Sequence, residues 1–416
     1  MKEIVTDVAI VGAGSAGLSA AYQAACAGAD VLVIDENSRP GGQLFKQIHK
    51  FFGSKEHQAG TRGFVIGQQL LEKVEKSGAK VMLDSLVYGL LPDKSMGVIS
   101  NGVNYSVKAK KIIIASGAKE NYMAFPGSTL PGVMGAGAAQ TMINVNRVLP
   151  GERILMVGSG NVGLIVSYQL MQAGAEVVGI VEGAPKIGGY GVHAGKIRRA
   201  GVPIYVGHTI KQVYGKEEVE GVEIAAVDEK WNMIPGSEKR FDVDTVCLAV
   251  GLNPMTGLVW MGGCKFDFIP SFGGHVPLHD ENMETTVPGV YVAGDVTGVE
   301  EASSAMEEGN MAGVAAAEAL GYLSHEEAAQ KKAEIIGRLN TLRSGFFGAG
   351  RRSRGIRSFY RKRDCKSSCR RDGARYIFHR ICFRQRNIRR SCPLFRMPLL
   401  SGTSCAFRKG SSDMRL

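Results

Sequence analysis

The chain has 416 residues, long enough for two or three domains. Its net charge of +11 would suit a nucleic-acid or acidic-membrane partner, but the excess is local: residues 344–416 hold 17 Arg, 3 Lys and 3 Asp, leaving 30 basic and 36 acidic groups in residues 1–343. The body is therefore mildly acidic, which argues against nucleic acid as its partner, and no run of 18 apolar residues is present to span a membrane.

The first apolar run, Val8-Ala9-Ile10-Val11, leads into Gly12-Ala13-Gly14-Ser15-Ala16-Gly17. A small-residue helix with Ala20, Ala21, Ala24 and Ala25 follows, then Val31-Leu32-Val33-Ile34 and two acids, Asp35 and Glu36. This is the strand, glycine turn, helix, strand and acid layout that binds a dinucleotide. Glycines let the backbone approach a pyrophosphate at a helix N-terminus, and the acid accepts from a ribose. The small apolar stretch from Val8 to Ala29 is expected to be the first strand and helix rather than a signal peptide, because Asp7 precedes it.

Gln68 to Lys76 reads as a helix that Ser77-Gly78 stops. Turn signals at Pro92-Asp93 and Asn101-Gly102 predict a small antiparallel meander ahead of a buried strand, Ile112-Ile113-Ile114. The layout then recurs. Ile154-Leu155-Met156-Val157 leads into Gly158-Ser159-Gly160-Asn161-Val162-Gly163, and Val177 to Val181 ends at Glu182. The spacing from Gly12 to Glu36 and from Gly158 to Glu182 is 24 residues in both units. Strand signals return from Val202 to Gly251, then a buried strand at Val290-Tyr291-Val292-Ala293 ends at Gly294-Asp295, and an alanine-rich helix spans about 302–319.

Two such units predict an α/β fold with two Rossmann-like dinucleotide-binding domains. The first is discontinuous, residues 1–125 and 251–343 with a C-terminal helix, and the second is inserted at 126–250. Two dinucleotides brought together suit hydride transfer between a nicotinamide and a flavin. Glu182 favours NAD over NADP, because a carboxylate accepts from a free 2′-hydroxyl and repels a 2′-phosphate. Lys46, His49 and Lys50 would share one face if their stretch were helical, either contacting an anionic substrate or partner or lying as a solvated basic face. No metal site is expected in the body; His275 and His279 stand among glycine and proline. Three scattered body thiols, Cys26, Cys247 and Cys264, suit a reducing compartment, and the chain is expected in the cytoplasm.

Five signatures in order carry a resemblance: the two glycine motifs, Glu36 with Gly41-Gly42-Gln43, Ala115-Ser116-Gly117, and Thr286 to Asp295. Over about residues 4–345 the chain resembles the pyridine nucleotide–dependent FAD oxidoreductases. Within them, the segment Gly41 to Ser54 is similar to hydrogen cyanide synthase B subunits, opine oxidase A subunits, and the alpha subunits of sarcosine oxidase and dye-linked proline dehydrogenase. The resemblance implies FAD on Gly12, Gly14, Ser15, Ala16, Gly17, Gly41, Gly42, Gln43, Ala115, Ser116, Gly117, Gly294 and Asp295. Glu36, five residues before the Gly-Gly pair, would take the adenosine ribose, with Asp35 the alternative. Asp295 would bind a ribityl hydroxyl. Nicotinamide binding would fall to Gly158, Gly160, Asn161, Val162, Gly163, Glu182 and Gly251.

It further implies one subunit of a heteromeric amine or amino-acid dehydrogenase, acting on a small-molecule substrate beside a second flavoprotein or a ferredoxin-like protein. The competing readings are a stand-alone NADH dehydrogenase or oxidase and a non-catalytic nucleotide-binding scaffold. No catalytic side chain is identifiable. Disulfide reductase chemistry is excluded, because residues 1–343 contain neither CxxC nor CxxxxC.

Residues 344–416 differ in kind: no Glu, 20 basic groups, and five of the eight cysteines at irregular spacing. A basic arm for nucleic acid or anionic lipid and a metal or iron–sulfur module are alternatives, but the expected reading is out-of-frame translation after about Gly348-Ala349-Gly350, giving an irregular tail that lacks a selected core and stays disordered.

Overall fold

A computed structural model of the chain describes residues 2–51 and 54–344. The three readings of the basic tail concern residues 345–416 and lie outside the described residues.

The first sheet has seven strands: β1 (Lys2–Val11), β2 (Val31–Ile34), β3 (Lys80–Met82), β4 (Ser85–Leu90), β5 (Ser95–Ser100), β6 (Val103–Ile114) and, far downstream, a closing strand Val290–Val292. The order β3-β2-β1-β6 is parallel, and the closing strand pairs β6 in parallel at Ile112–Ile114. The predicted meander, β4-β5-β6, is antiparallel, with Asn101 and Gly102 both left-handed at its turn. Meander and buried strand are one element here. β6 runs 12 residues, giving its first half to β5 and its last three residues to the closing strand.

Alternation sorts the sheet's side chains. Val8 and Ile10 face a helical layer of α1 (Ser15–Cys26) and two later helices, whereas Ala9 and Val11 face the meander. α2 (Gly63–Lys76) starts five residues earlier than its sequence signals indicate. Gly63 serves close packing, whereas a side chain at Gly67 would make only ordinary contacts. A Cβ on Gly63 would lie 2.6 Å from Gln47 Cβ, and one on Gly67 would lie 3.6 Å from Gly41 Cα.

Between β6 and the closing strand lies the second unit. After β7 (Ala118–Glu120) and β8 (Val133–Gly135) come α3 (Ala136–Thr141), β9 (Arg153–Val157), α4 (Asn161–Ala173), β10 (Glu176–Glu182), α5 (Gly191–Arg199) and β11 (Ile204–Val206). A three-stranded antiparallel sheet, β12 (His208–Tyr214), β13 (Gly221–Ala226) and β14 (Lys239–Phe241), precedes β15 (Thr245–Leu248). The parallel sheet runs β11-β10-β9-β15-β8. It repeats the plan of the first unit: helices cover Ile154 and Met156 on one face, and the small antiparallel sheet covers Leu155 and Val157 on the other.

β16 (Leu252–Pro254), α6 (Gly257–Met261), β17 (Phe266–Ile269) and β18 (Gly274–Pro277) lead to the closing strand, β19. α7 (Ala302–Ala319) matches the expected alanine-rich helix and packs on α1 at close range. A Cβ on Gly309 would meet Ala16 O at 2.1 Å, and one on Gly313 would meet Ala20 O at 2.4 Å. α8 (His325–Leu342) starts with a capping box, Ser324 and Glu327 bonding each other's backbone N–H. Among the described residues no helix is long and apolar enough to cross a membrane.

Candidate functional site

The register of the first sheet places Ile34, Val11, Ile114 and Val292 side by side. The residues that follow, Asp35, Gly12, Ala115 and Ala293, form a row across the C-terminal edge of four parallel strands. At about 4.8 Å per strand the row is about 14 Å long. Open α/β sheets bind ligands in the crevice at this edge.

The three glycines of the first turn do separate jobs. Gly12 has φ +101°, and a Cβ there would meet Ala115 O at 2.3 Å. A Cβ on Gly17 would meet Gly12 O at 1.8 Å, so only glycine lets α1 close on β1. Gly14 is different: the nearest atom to a built Cβ is Gly42 Cα at 3.9 Å. The space beside it is open. No side chain caps α1, so the first-turn N–H groups, from Ser15 and Ala16 onward, remain for an anion. Gly41 and Gly42 fold onto the turn. Gly41 N donates to Ala13 O at 2.7 Å, and a Cβ on Gly42 would lie 2.8 Å from Gly14 Cα. Gln43 is exposed beside them. Ser116 Oγ donates to Met255 O at 2.7 Å, and a Cβ on Gly117 would meet nothing within 4 Å. This glycine cradle and its uncapped helix fit a dinucleotide pyrophosphate.

Asp295, half-buried, lies in the short turn Gly294–Thr297, where its Oδ1 accepts from Glu300 N at 3.1 Å. It does not cap α7, whose N-cap is Glu301. The turn is held from behind by Glu308, a residue to which sequence reasoning assigns no role. Glu308 is 4% exposed, and its Oε2 accepts from Gly294 N at 3.0 Å and Thr297 Oγ1 at 2.9 Å. Its other oxygen pairs with Arg343, which also reaches Glu300. The neighbouring buried Glu307 accepts from His57 Nε2 at 2.9 Å and from Arg338 at 2.9 and 3.0 Å. Two carboxylates inside an alanine-rich helix are the sequence signal for these pairs, since buried charge requires a partner.

The second unit builds the same row from Glu182, Gly158 and Ala249, which follow the registered Val181, Val157 and Leu248. A Cβ on Gly158 would meet Ala249 O at 2.2 Å, one on Gly163 would meet Gly158 O at 2.1 Å, and one on Gly160 would meet nothing within 4 Å. Gly188 and Gly189, which carry no motif of their own in the sequence, cover this turn as Gly41 and Gly42 cover the first. Gly189 N donates to Ser159 O at 2.9 Å. Asn161 Oδ1 accepts from Tyr190 N at 2.8 Å, and Tyr190 Oη donates to Glu301 Oε1 at 2.9 Å, linking this loop to the N-cap of α7. Val162 is exposed at the start of α4, and Gly251 is exposed with its carbonyl accepting from Asn121 N.

The parallel between the two rows bears on the choice between Asp35 and Glu36. Glu182 accepts from Ser159 N at 3.0 Å, Ser159 Oγ at 2.6 Å and Ala184 N at 2.9 Å. In the first unit Asp35 accepts from Ala13 N at 2.6 Å, Asn37 N at 2.8 Å and Asn37 Nδ2 at 2.9 Å. Asp35 is buried and Glu36 is exposed outside the strand. Asp35 is thus the counterpart of Glu182. The equal 24-residue spacing to Glu36 arises because β10 carries a bulge between Val177 and Gly179, one residue that β2 lacks.

A second correction concerns Lys46, His49 and Lys50. The 3-10 turn Gly42–Lys46 ends before His49, so no shared helical face exists. Lys46 reaches the second unit, donating to Gly137 O at 3.2 Å, and burial lowers its pKa against the opposing pull of Glu120.

Among the described residues no cluster of His, Cys, Asp or Glu is arranged to hold a metal ion. Cys26, Cys247 and Cys264 are all unpaired. Burial, with Glu120 adding, pushes the Cys247 thiol up to about 12, and burial also raises that of Cys264. Neither is a thiolate at neutral pH, so neither is a nucleophile. Replacing Cys26 and Cys264 by Ser and Cys247 by Ala is expected to leave NADH–dye reductase activity within about a factor of two. A folded, flavin-loaded triple variant that no longer turns over would contradict this.

The chain is similar to the opine oxidase A subunit of Agrobacterium tumefaciens (strain Ach5), 29% identical over 74% of this chain and 65% of that one. It thus spans less than two thirds of that relative. Hydrogen cyanide synthase subunit HcnB of Pseudomonas aeruginosa is 26% identical over 80% of this chain and 75% of its own length. Among solved structures, thioredoxin reductase of T. acidophilum superposes with a TM-score of 0.63 at 25% identity, covering 76% of this chain and 99% of that one. Pyridine nucleotide-disulphide oxidoreductase, as a family, matches residues 6–309. The chain belongs to that family and is an FAD-dependent oxidoreductase with an NAD(P)-binding domain, its described residues holding no redox cysteine pair.

Proposed function

We propose that this chain is the flavoprotein subunit of a heteromeric amine or amino-acid dehydrogenase, moving electrons between FAD and either NAD(H) or a partner redox protein. The observation that carries the reading is the duplication of the dinucleotide row, with both glycine turns open at their middle glycine. The opine oxidase and hydrogen cyanide synthase relatives are, by their names, subunits of larger enzymes, which supports a partner for this chain. A second flavoprotein or a ferredoxin-like protein is the partner class proposed, and a small amine or amino acid the substrate. Three unpaired body thiols suit the cytoplasm.

FAD occupies the first row in this reading, with its pyrophosphate over Gly14 and its ribose on Asp35. Asp295 takes a ribityl hydroxyl. The uncapped start of α7 stabilises negative charge on the reduced ring system. NAD occupies the second row. Three of the acceptor positions of the Glu182 carboxylate are filled by protein donors, which leaves about one for a ribose hydroxyl.

Anaerobic mixing with NADH and NADPH tests this. A hydrogen bond to a charged group contributes about 1.5–3 kcal/mol, so NADH is expected to bleach the flavin at least about tenfold faster than NADPH. Glu182→Ala should narrow that gap. Faster reduction by NADPH would refute the role of Glu182. Failure of both nicotinamides, with reduction by an amino acid only when a partner is added, would assign the second row to structure alone.

A further inference from the structure

A cleft of about 530 Å³ lies between the segment that follows the first Gly-Gly pair and helices α4 and α5 of the second unit. Its volume is that of a small-molecule site. Lys50 and Arg62 line it from the first unit and Lys196 from α5, with Tyr168 under the Lys196 ammonium at 5.6 Å. No Asp or Glu is among its lining residues. Ile48, Leu164 and Ile165 supply an apolar wall.

Two buried side-chain atoms among the described residues, His49 Nδ1 and Gln169 Nε2, lack a hydrogen-bond partner, and both residues line this cleft. Buried polar atoms left so are uncommon and mark an absent partner. The Gln169 case is tightly constrained. The residue is 4% exposed, and its Oε1 accepts from Gln140 Nε2 at 3.0 Å and Asn144 Nδ2 at 3.1 Å. Flipping the amide would set its NH₂ against two donors, so the unpartnered group is a donor. Burial, together with the charges of His193 and Lys196, pushes His49 down to about 4, so its ring is neutral at pH 7 and free to donate or accept.

We infer that this cleft binds a small organic anion with carboxylate or phosphate groups, gripped by Lys50, Arg62 and Lys196 and hydrogen-bonded by Gln169 and His49. Its apolar wall takes the carbon body of the ligand. Since the cations come from both units, the bound anion joins them.

Isothermal titration of the flavin-loaded full chain with glutarate and with glycerol 3-phosphate, at constant ionic strength, tests the site. At least one is expected to bind with Kd below about 10 mM, and which one does so tells a carboxylate ligand from a phosphate. Lys196→Gln and Arg62→Gln should each weaken binding by about tenfold or more, with flavin content unchanged. Lys230→Gln, a control at an exposed lysine outside the cleft, should bind as the unmodified chain does. Amide exchange in residues 48–51 should slow when the anion is added. The proposal is overturned if neither anion binds, or if Lys196→Gln and Lys230→Gln bind equally.

Discussion

Arg343→Ala is expected to cost about 3–5 kcal/mol, because it strands a buried carboxylate whose partner has gone. That is a large share of the roughly 5–15 kcal/mol that holds a domain folded. The loss has a specific route to function. Glu308, which Arg343 neutralises, holds the Gly294 N–H with its other oxygen, and Gly294 begins the turn that presents Asp295. The flavin should therefore leave at lower denaturant than it does from the unmodified chain, ahead of the loss of helical signal. Adding Glu308→Gln should recover part of the stability, since the neutral amide oxygen still accepts from Gly294 without needing a cation. Equal stability of Arg343→Ala and the unmodified protein in urea titrations would show that the pair does not carry this load.

Asp35→Ala is expected to weaken FAD binding by about 10- to 100-fold, whereas Glu36→Ala should stay within about a factor of two. Asp35 accepts from the backbone N–H of Ala13 inside the glycine turn and from Asn37 on the other side. Its removal leaves a buried N–H unpaired inside the glycine turn and, on the proposed reading, takes away the acceptor for the ribose. Glu36 has none of these duties and is exposed. Flavin retained per mole of chain after dialysis measures both variants. If the Glu36 variant loses the flavin and the Asp35 variant keeps it, the equivalence drawn with Glu182 is mistaken.

Much of the site is legible in the sequence because backbone geometry leaves no alternative residue. A Cβ at Gly12 or Gly17 would collide with a carbonyl oxygen, so the glycine pattern and the place of the turn follow directly. Which acid stands opposite Glu182 in the row is hidden by the spacing. A bulge near Val178 lengthens one unit, and two unequal intervals then look equal. A better clue is present: Gly188-Gly189 stands after Glu182 as Gly41-Gly42 stands after Asp35, six residues from acid to first glycine in both. The Glu308–Arg343 and Glu307–Arg338 pairs join residues more than 30 positions apart, so the two carboxylates in an alanine-rich helix signal that partners are needed while no local pattern says which arginines supply them. The start of α2 is hidden because the low helix propensity of Gly63 and Gly67 speaks against a helix, while the contact that requires glycine at position 63 lies elsewhere in the chain, at Gln47.

The late arrival of β19 bears on how the chain is born. The edge of β6 at Ile112–Ile114 waits for Val290–Val292, roughly 180 residues downstream, and at about 5–20 residues per second the ribosome needs about 10–35 s to deliver them. The second unit, contiguous from β8 to β15, can close on itself during that interval. The first emerges with an apolar strand edge open to any passing strand. Nascent chains stalled between residues 130 and 280 should therefore be the ones that recruit chaperones and cross-link to one another, and release past residue 292 should end both.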